Sequence, residues 1–203
     1  LNVETRTQYD ALGRKEYESY PFKLGVGAGN IGTSITYDSL DRVVRRTNPD
    51  ASFKELVYEP GTLKAYDEKR NLTVQKLEAF GDPDAPRISE VTDPTGNKWS
   101  YTYNGLGQLT TATAPDGVTR SWTYLPGADR LERETHPESG TVVYNEYDGA
   151  GVLKKKTDAQ NTTFTYAHDN NDRLIRITAA GPSVIDSVRT FTYEVGSDNR
   201  HTA

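Results

Sequence analysis

Residues Tyr101 to Tyr124 read YTYNGLGQLTTATAPDGVTRSWTY and hold one complete unit of the chain. The unit opens on a strand end, Tyr101, Thr102 and Tyr103, and turns at Asn104, Gly105, Leu106 and Gly107. An extended run from Gln108 to Ala114 follows, then a second turn at Pro115, Asp116 and Gly117. A second run, Val118 to Tyr124, returns to the opening pattern. Thr and aromatic residues fill the runs, as a pleated, half-covered strand prefers. Gly and Asp-Gly stand where the backbone must reach positive φ. The stretch therefore predicts two strands and two tight turns.

The unit recurs along the whole chain. The last aromatic of each returning strand serves as an anchor: Tyr9, Tyr37, Tyr58, Phe80, Tyr103, Tyr124, Tyr147, Tyr166 and Tyr193. Successive anchors lie about 23 residues apart, a period that marks a repeat architecture. Tyr9-Asp10-Ala11-Leu12-Gly13-Arg14 matches Tyr37-Asp38-Ser39-Leu40-Asp41-Arg42 and Tyr147-Asp148-Gly149-Ala150-Gly151-Val152. The units at Tyr124 and Tyr166 carry one extra residue in this turn. Five residues beyond the Arg column stand Thr47, Thr92, Thr113, Thr135, Thr157 and Thr178, and one residue beyond it stand Val43, Ile88, Leu109, Leu131, Leu153 and Leu174. Strict alternation would put both columns on one face. Before the anchors, Ile35, Leu56, Tyr101, Trp122, Phe164 and Phe191 form an apolar face, with Thr on the opposite one.

Residues 1–203 thus read as a single array of about eight units. Lys23 to Thr33 is a Gly-rich insertion, Pro60-Gly61 replaces the Gly-Arg turn after Tyr58, and Gly81 to Pro86 is an acidic, Pro-rich turn. No stripe of apolar residues at helical spacing survives between the Gly and Pro punctuation. Two strands per unit give about 16 strands at about 4.8 Å each, a sheet on the order of 75 Å long that must coil, split or close.

Composition suits such a sheet. Mean hydropathy is −0.76, low for a compact core, yet 13 Tyr, 5 Phe and 2 Trp exclude an aromatic-poor disordered chain. The net charge of −5, with both signs interspersed, gives no broad basic surface for nucleic acid. Without Cys there is neither a disulfide nor a thiolate metal site. The absence of Met, at the start as elsewhere, points to a piece of a longer chain. No signal-peptide pattern and no apolar run of about 18 residues is present.

The units resemble the RHS or YD-repeat family: Tyr-Asp, two variable residues, Gly-Arg-Leu, then a Pro-Asp-Gly-like turn. The pattern stands as YDALGR, YDSLDRVVRRTNPDA, YNGLGQLTTATAPDG and YDGAGVL, in phase over nearly the whole chain and weakest between Tyr58 and Pro86. The resemblance implies an all-β fold: tandem β-hairpins in a long, coiled antiparallel sheet, an open segment of a hollow shell. Bacterial members of this family encase polymorphic toxin domains, and animal teneurins carry a similar barrel used in adhesion. The self-cleaving aspartyl-protease segment of many bacterial shells is not recognisable. The chain is thus expected to be a structural wall segment of a secreted or cell-surface protein. Its partners would be adjacent YD repeats or an encapsulated toxin, and cut edges would favour end-to-end self-association.

No constellation points to an enzyme, and no catalytic, cofactor-binding or metal residue is predicted. His136, His168 and His201 show no paired ligand spacing. The Asp82-Pro83-Asp84 and Asp169 to Asp172 loops fail the calcium-loop spacing. The recurring Asp reads as an acceptor for backbone N–H groups of its own turn. The recurring Arg reads as a partner for carboxylates or Tyr rings. Trp99, Trp122 and the aromatic columns read as packing between hairpins. The alternative is a glycan-stacking surface, which would make the chain an extracellular module recognising carbohydrate or a cell-surface protein.

Overall fold

The computed structural model describes residues 3–23, 31–79, 85–182, 184–195 and 201–202. Most of the Gly-rich insertion, the anchor Phe80 and Asp82 to Asp84 lie outside them. The described residues contain strands and turns and no helix. Seventeen strands form antiparallel sheet. The expected sixteen came from counting intervals. Nine strands lead to anchor positions and eight lead away, which makes seventeen. Two further short pairs lie outside this ladder: Val3–Glu4 with Phe22–Lys23, and Glu194–Val195 with His201–Thr202.

The chain divides into two compact units, Leu1–Ser100 and Tyr101–Ala203. In the first, strands from Thr7–Tyr9 through Leu72–Glu78 and Arg87–Thr92 pair in chain order. Pro60-Gly61 forms a two-residue turn between Phe53–Glu59 and Thr62–Tyr66, with Gly61 at φ 64°. In the second, the order runs from Leu109–Thr113 to Val184–Thr190 in the same way.

Each unit is thin. Among the described residues the buried hydrophobic side chains are Ile35 and Ala179, at 6% and 8% exposure. Neighbouring strands of one sheet cover side chains laterally, and most of those described are half-buried. Lys98–Tyr103 shows the expected alternation, with Lys98, Ser100 and Thr102 exposed and Trp99, Tyr101 and Tyr103 half-buried. Thr hydroxyls bridge strands on the face opposite the anchors: Thr113 with Thr119 and Thr135 with Thr141, both at 3.0 Å.

Strict alternation fails at one repeated place. Thr36 faces Arg45, yet Tyr37 faces Val43, so Val44 is an extra residue on its strand. The same bulge leaves out Glu16, Glu132, Lys154 and Ile175. Each lies two residues past the Arg column. A bulge reverses the parity of the strand beyond it. Val43 therefore shares the face of Tyr37, while Thr47 faces Ser34 on the other side. The aliphatic and Thr columns are on opposite faces, not on one.

The register also moves an anchor. His168 pairs with Leu174 as Tyr37 pairs with Val43 and Tyr147 with Leu153. His168, not Tyr166, thus occupies the anchor column. Its turn is the ordinary five-residue loop closed by Asp169 and Arg173, and the extra length lies in the strand. The turn after Tyr124 does hold the extra residue, closing between Leu125 and Arg130.

Candidate functional site

The most regular chemistry lies at the turns after the anchors. In the turn at 38–42, the Asp38 N–H donates to the Arg42 carbonyl and the Asp41 N–H to the Asp38 carbonyl. One Asp38 carboxylate oxygen accepts the Leu40 and Arg42 N–H groups at 2.9 and 3.0 Å. The fourth residue adopts positive φ: Gly13 at 79°, Asp41 at 61° and Gly151 at 91°. The same loop recurs on the opposite edge, at 93–97 and 158–162, where Asp93 and Asp158 hold it. The sequence presented these as Pro-x-Gly turns, but the acceptor is the residue before the Pro or Ala. The Asx role predicted for the recurring Asp is the one observed.

The Arg column ties units together. Arg42 pairs with Asp38 at 2.7 Å and lies over the Tyr58 ring of the next unit, 4.1 Å from its centroid. Arg14 pairs with Asp10, reaches Asp41, and lies over Tyr37 at 4.5 Å. Arg173 pairs with Asp169 and lies over Tyr193. The anchor Tyr completes the tie by donating its hydroxyl backwards. Tyr37 bonds the Lys15 carbonyl, Tyr58 that of Val43, Tyr124 that of Leu109, Tyr147 that of Leu131 and Tyr193 that of Leu174. Both roles expected for the Arg, carboxylate partner and ring partner, are filled by the same side chain.

These carboxylates are held ionised. The Lys154 ammonium at 2.9 Å and the Val152 N–H lower Asp148 to about 2. The Arg14 N–H and guanidinium lower Asp10, and the Arg173 guanidinium lowers Asp169. A carboxylate saturated in this way is a poor proton acceptor. Tyr144 moves the other way, to about 12, through burial and its hydrogen bond to Glu134 at 2.9 Å.

His136 and His168 have separate partners. His136 lies 3.6 Å from Glu134 and packs edge-on against Trp122. His168 Nδ1 is 3.5 Å from Lys154 Nζ. The His201 side chain lies outside the described ones. Asp169 caps its own turn, and Asp172 takes φ 58° in it. Among the described residues no three His, Cys, Asp or Glu side chains are grouped as a metal site.

Hollows are found among the described residues of both units. One, in the first unit, is lined by Tyr20, Pro21, Phe22 and Ile31. Another, in the second unit, has a volume of about 340 Å³ and lies among Lys156, Phe164, Tyr166, Ile177, Ala179, Ser187 and Arg189. The sequence reading missed it. Its signal was two small residues, Ala179 and Ser187, on a face whose other columns are large.

Comparison with known proteins agrees with this geometry. The RHS repeat family model matches residues 87–119, 103–142 and 147–184. Double-stranded DNA deaminase toxin A of Burkholderia cenocepacia (strain H111) is 29% identical over 202 residues, covering 85% of this chain and 13% of that protein. The fold matches the crystal structure of TcdB2-TccC3-TEV with a TM-score of 0.73 at 16% identity, over 91% of this chain and 11% of that one. It also matches the Tc holotoxin pore of Photorhabdus luminescens, with a TM-score of 0.71 at 16% identity, over 90% of this chain and 11% of that one. The chain thus spans about an eighth of the relative and a tenth of the structures. No helix among the described residues is long and apolar enough to cross a membrane.

Proposed function

We propose that the chain is a non-enzymatic wall segment of an exported RHS-repeat protein, enclosing or displaying a toxin or another polypeptide. The thin sheet carries this reading: with only Ile35 and Ala179 buried among its described apolar side chains, each unit has the make-up of a wall. The likeness to Tc toxin structures supports the same role. In this reading residues 1–203 act as one array of about eight units, and protein is the partner on both faces and at both ends. The test is protease protection in the full-length gene product. A polypeptide resistant to protease until the sheet is unfolded supports the wall, and equal cleavage before and after contradicts it.

A second reading, an extracellular module recognising carbohydrate or a cell-surface protein, draws on Phe164 and Tyr166 beside the hollow of the second unit. Binding of the purified chain to a glycan array, without protease protection, would put it first.

A further inference from the structure

Four strands of the second unit, Leu153–Thr157, Thr163–His168, Leu174–Gly181 and Val184–Thr190, bring two rows of side chains onto the anchor face. One row is Lys156, Phe164, Ala179 and Ser187. The other is Tyr166, Ile177 and Arg189. Large side chains stand around two small ones, and the difference in size is the hollow of about 340 Å³. That volume lies near the lower end for a ligand pocket. Its floor is apolar, with Ala179 buried.

Its rim is cationic on two sides. Lys156 Nζ lies over the Phe164 ring at 5.6 Å, and Arg189 Cζ over the Phe191 ring at 5.4 Å. Neither forms an ion pair among the described residues, and no described carboxylate lines the hollow. Glu134, which the Tyr144 hydroxyl reaches from the strand beside Lys156, already accepts that hydroxyl and lies 3.6 Å from His136. An apolar floor under two cations without a carboxylate complements a group that is apolar at one end and anionic at the other.

We propose that this hollow binds a polypeptide segment through an Asp or Glu side chain next to an apolar one. The carboxylate is held by Lys156 and Arg189, and the apolar side chain sits over Ala179 between Phe164 and Ile177. This deepens the wall reading, and rests on it for the occupant being polypeptide.

The test titrates the 203-residue protein with acetyl-Leu-Asp-Phe-amide and, separately, with acetyl-Leu-Asn-Phe-amide, followed by calorimetry and by NMR shifts. The Asp peptide should bind about fivefold more tightly than the Asn peptide, a difference of about 1 kcal/mol, and the gap should shrink in high salt. Lys156→Gln and Arg189→Gln should each remove about half of that gap in free energy. Ala179→Leu should abolish binding of both peptides by filling the floor. The two surface variants keep the test valid if Ala179→Leu does not fold. Equal binding of the two peptides, or wild-type binding by folded Lys156→Gln and Arg189→Gln, overturns the proposal. Maltotriose shifting the same residues while neither peptide does so overturns it in favour of a sugar site. Failed titration with intact protease protection refutes the hollow alone. Peptide binding without protease protection refutes the wall alone.

Discussion

The turns at 38–42 and 148–152 have the same backbone and different fifth residues. In the first, Arg42 joins its own Asp38 to the ring of Tyr58 in the next unit. In the second the fifth residue is Val152, which can do neither. Lys154, the extra residue of the bulge, does both instead: it pairs with Asp148 and comes within 3.5 Å of His168, the next anchor. At 104–108 Gln108 takes the place of Arg, bonding Asn104 and then Ala128 and Asp129 of the next unit. The first residue of the turn shapes the loop. The fifth, or the bulge beside it, ties that loop to its neighbour, and several side chains can serve.

The largest expected effect falls on the part both turns share. Asp38→Ala and Asp148→Ala each leave two backbone N–H groups without their acceptor. Orphaning those N–H groups is comparable to losing a helix cap, so both variants should lower the urea midpoint more than the others named below. Urea melts would check this, and a large cost at one site with none at the other would break the comparison. The acid limb follows from the same groups. The pKa values of Asp38 and Asp148 are lower in the fold than the ordinary Asp value of about 3.9. Their contribution is therefore present above about pH 4 and is lost as pH falls from about 4 toward 2. Urea midpoints should drop across that window, and Asp148→Asn should flatten the drop.

Next comes a turn with no carboxylate at its first position. At 114–118 that residue is Ala114, and Gly117 holds φ 85° with no other residue's atom near enough to clash with an added Cβ. Gly117→Val should cost about 1 kcal/mol or more through backbone conformation alone, whereas Val118→Ile should be nearly silent. Equal melts for the two variants would remove positive φ from the explanation.

The smallest effects belong to the tie. Arg42→Gln should cost about 0.5–1 kcal/mol, the range of an exposed cation–π contact. Gln108→Arg should be neutral or slightly stabilising, because Gln108 already bonds the Asp129 carboxylate and Tyr124 donates to the Leu109 carbonyl as Tyr58 does to that of Val43. A large loss from Gln108→Arg in thermal melts would show that this unit depends on the Gln itself.

The period, the strands and the turns were legible because Tyr, Asp and Gly must each stand at a fixed place. Asp10 and Asp38 do what their position after a strand implies. The bulges at Val44 and Lys154 were not legible, because a bulge inserts no special residue type and shows only in the pairing. His168 was misplaced for a related reason: Tyr166 matched the residue type of the anchor column, while the register chose the residue next to Asp169. The hollow was hidden because Ala179 and Ser187 are ordinary residues in sequence. They matter only once their strands stand side by side.

Of the anchor rings, Arg42 couples to that of the next unit, Tyr58, rather than to that of its own, Tyr37. A double-mutant cycle between Arg42→Gln and Tyr58→Leu, read by urea melts, tests this most directly. A coupling of about 0.5–1 kcal/mol is expected for Arg42 with Tyr58, and close to none for Arg42 with Tyr37. A stronger coupling of Arg42 to Tyr37 than to Tyr58 would contradict it.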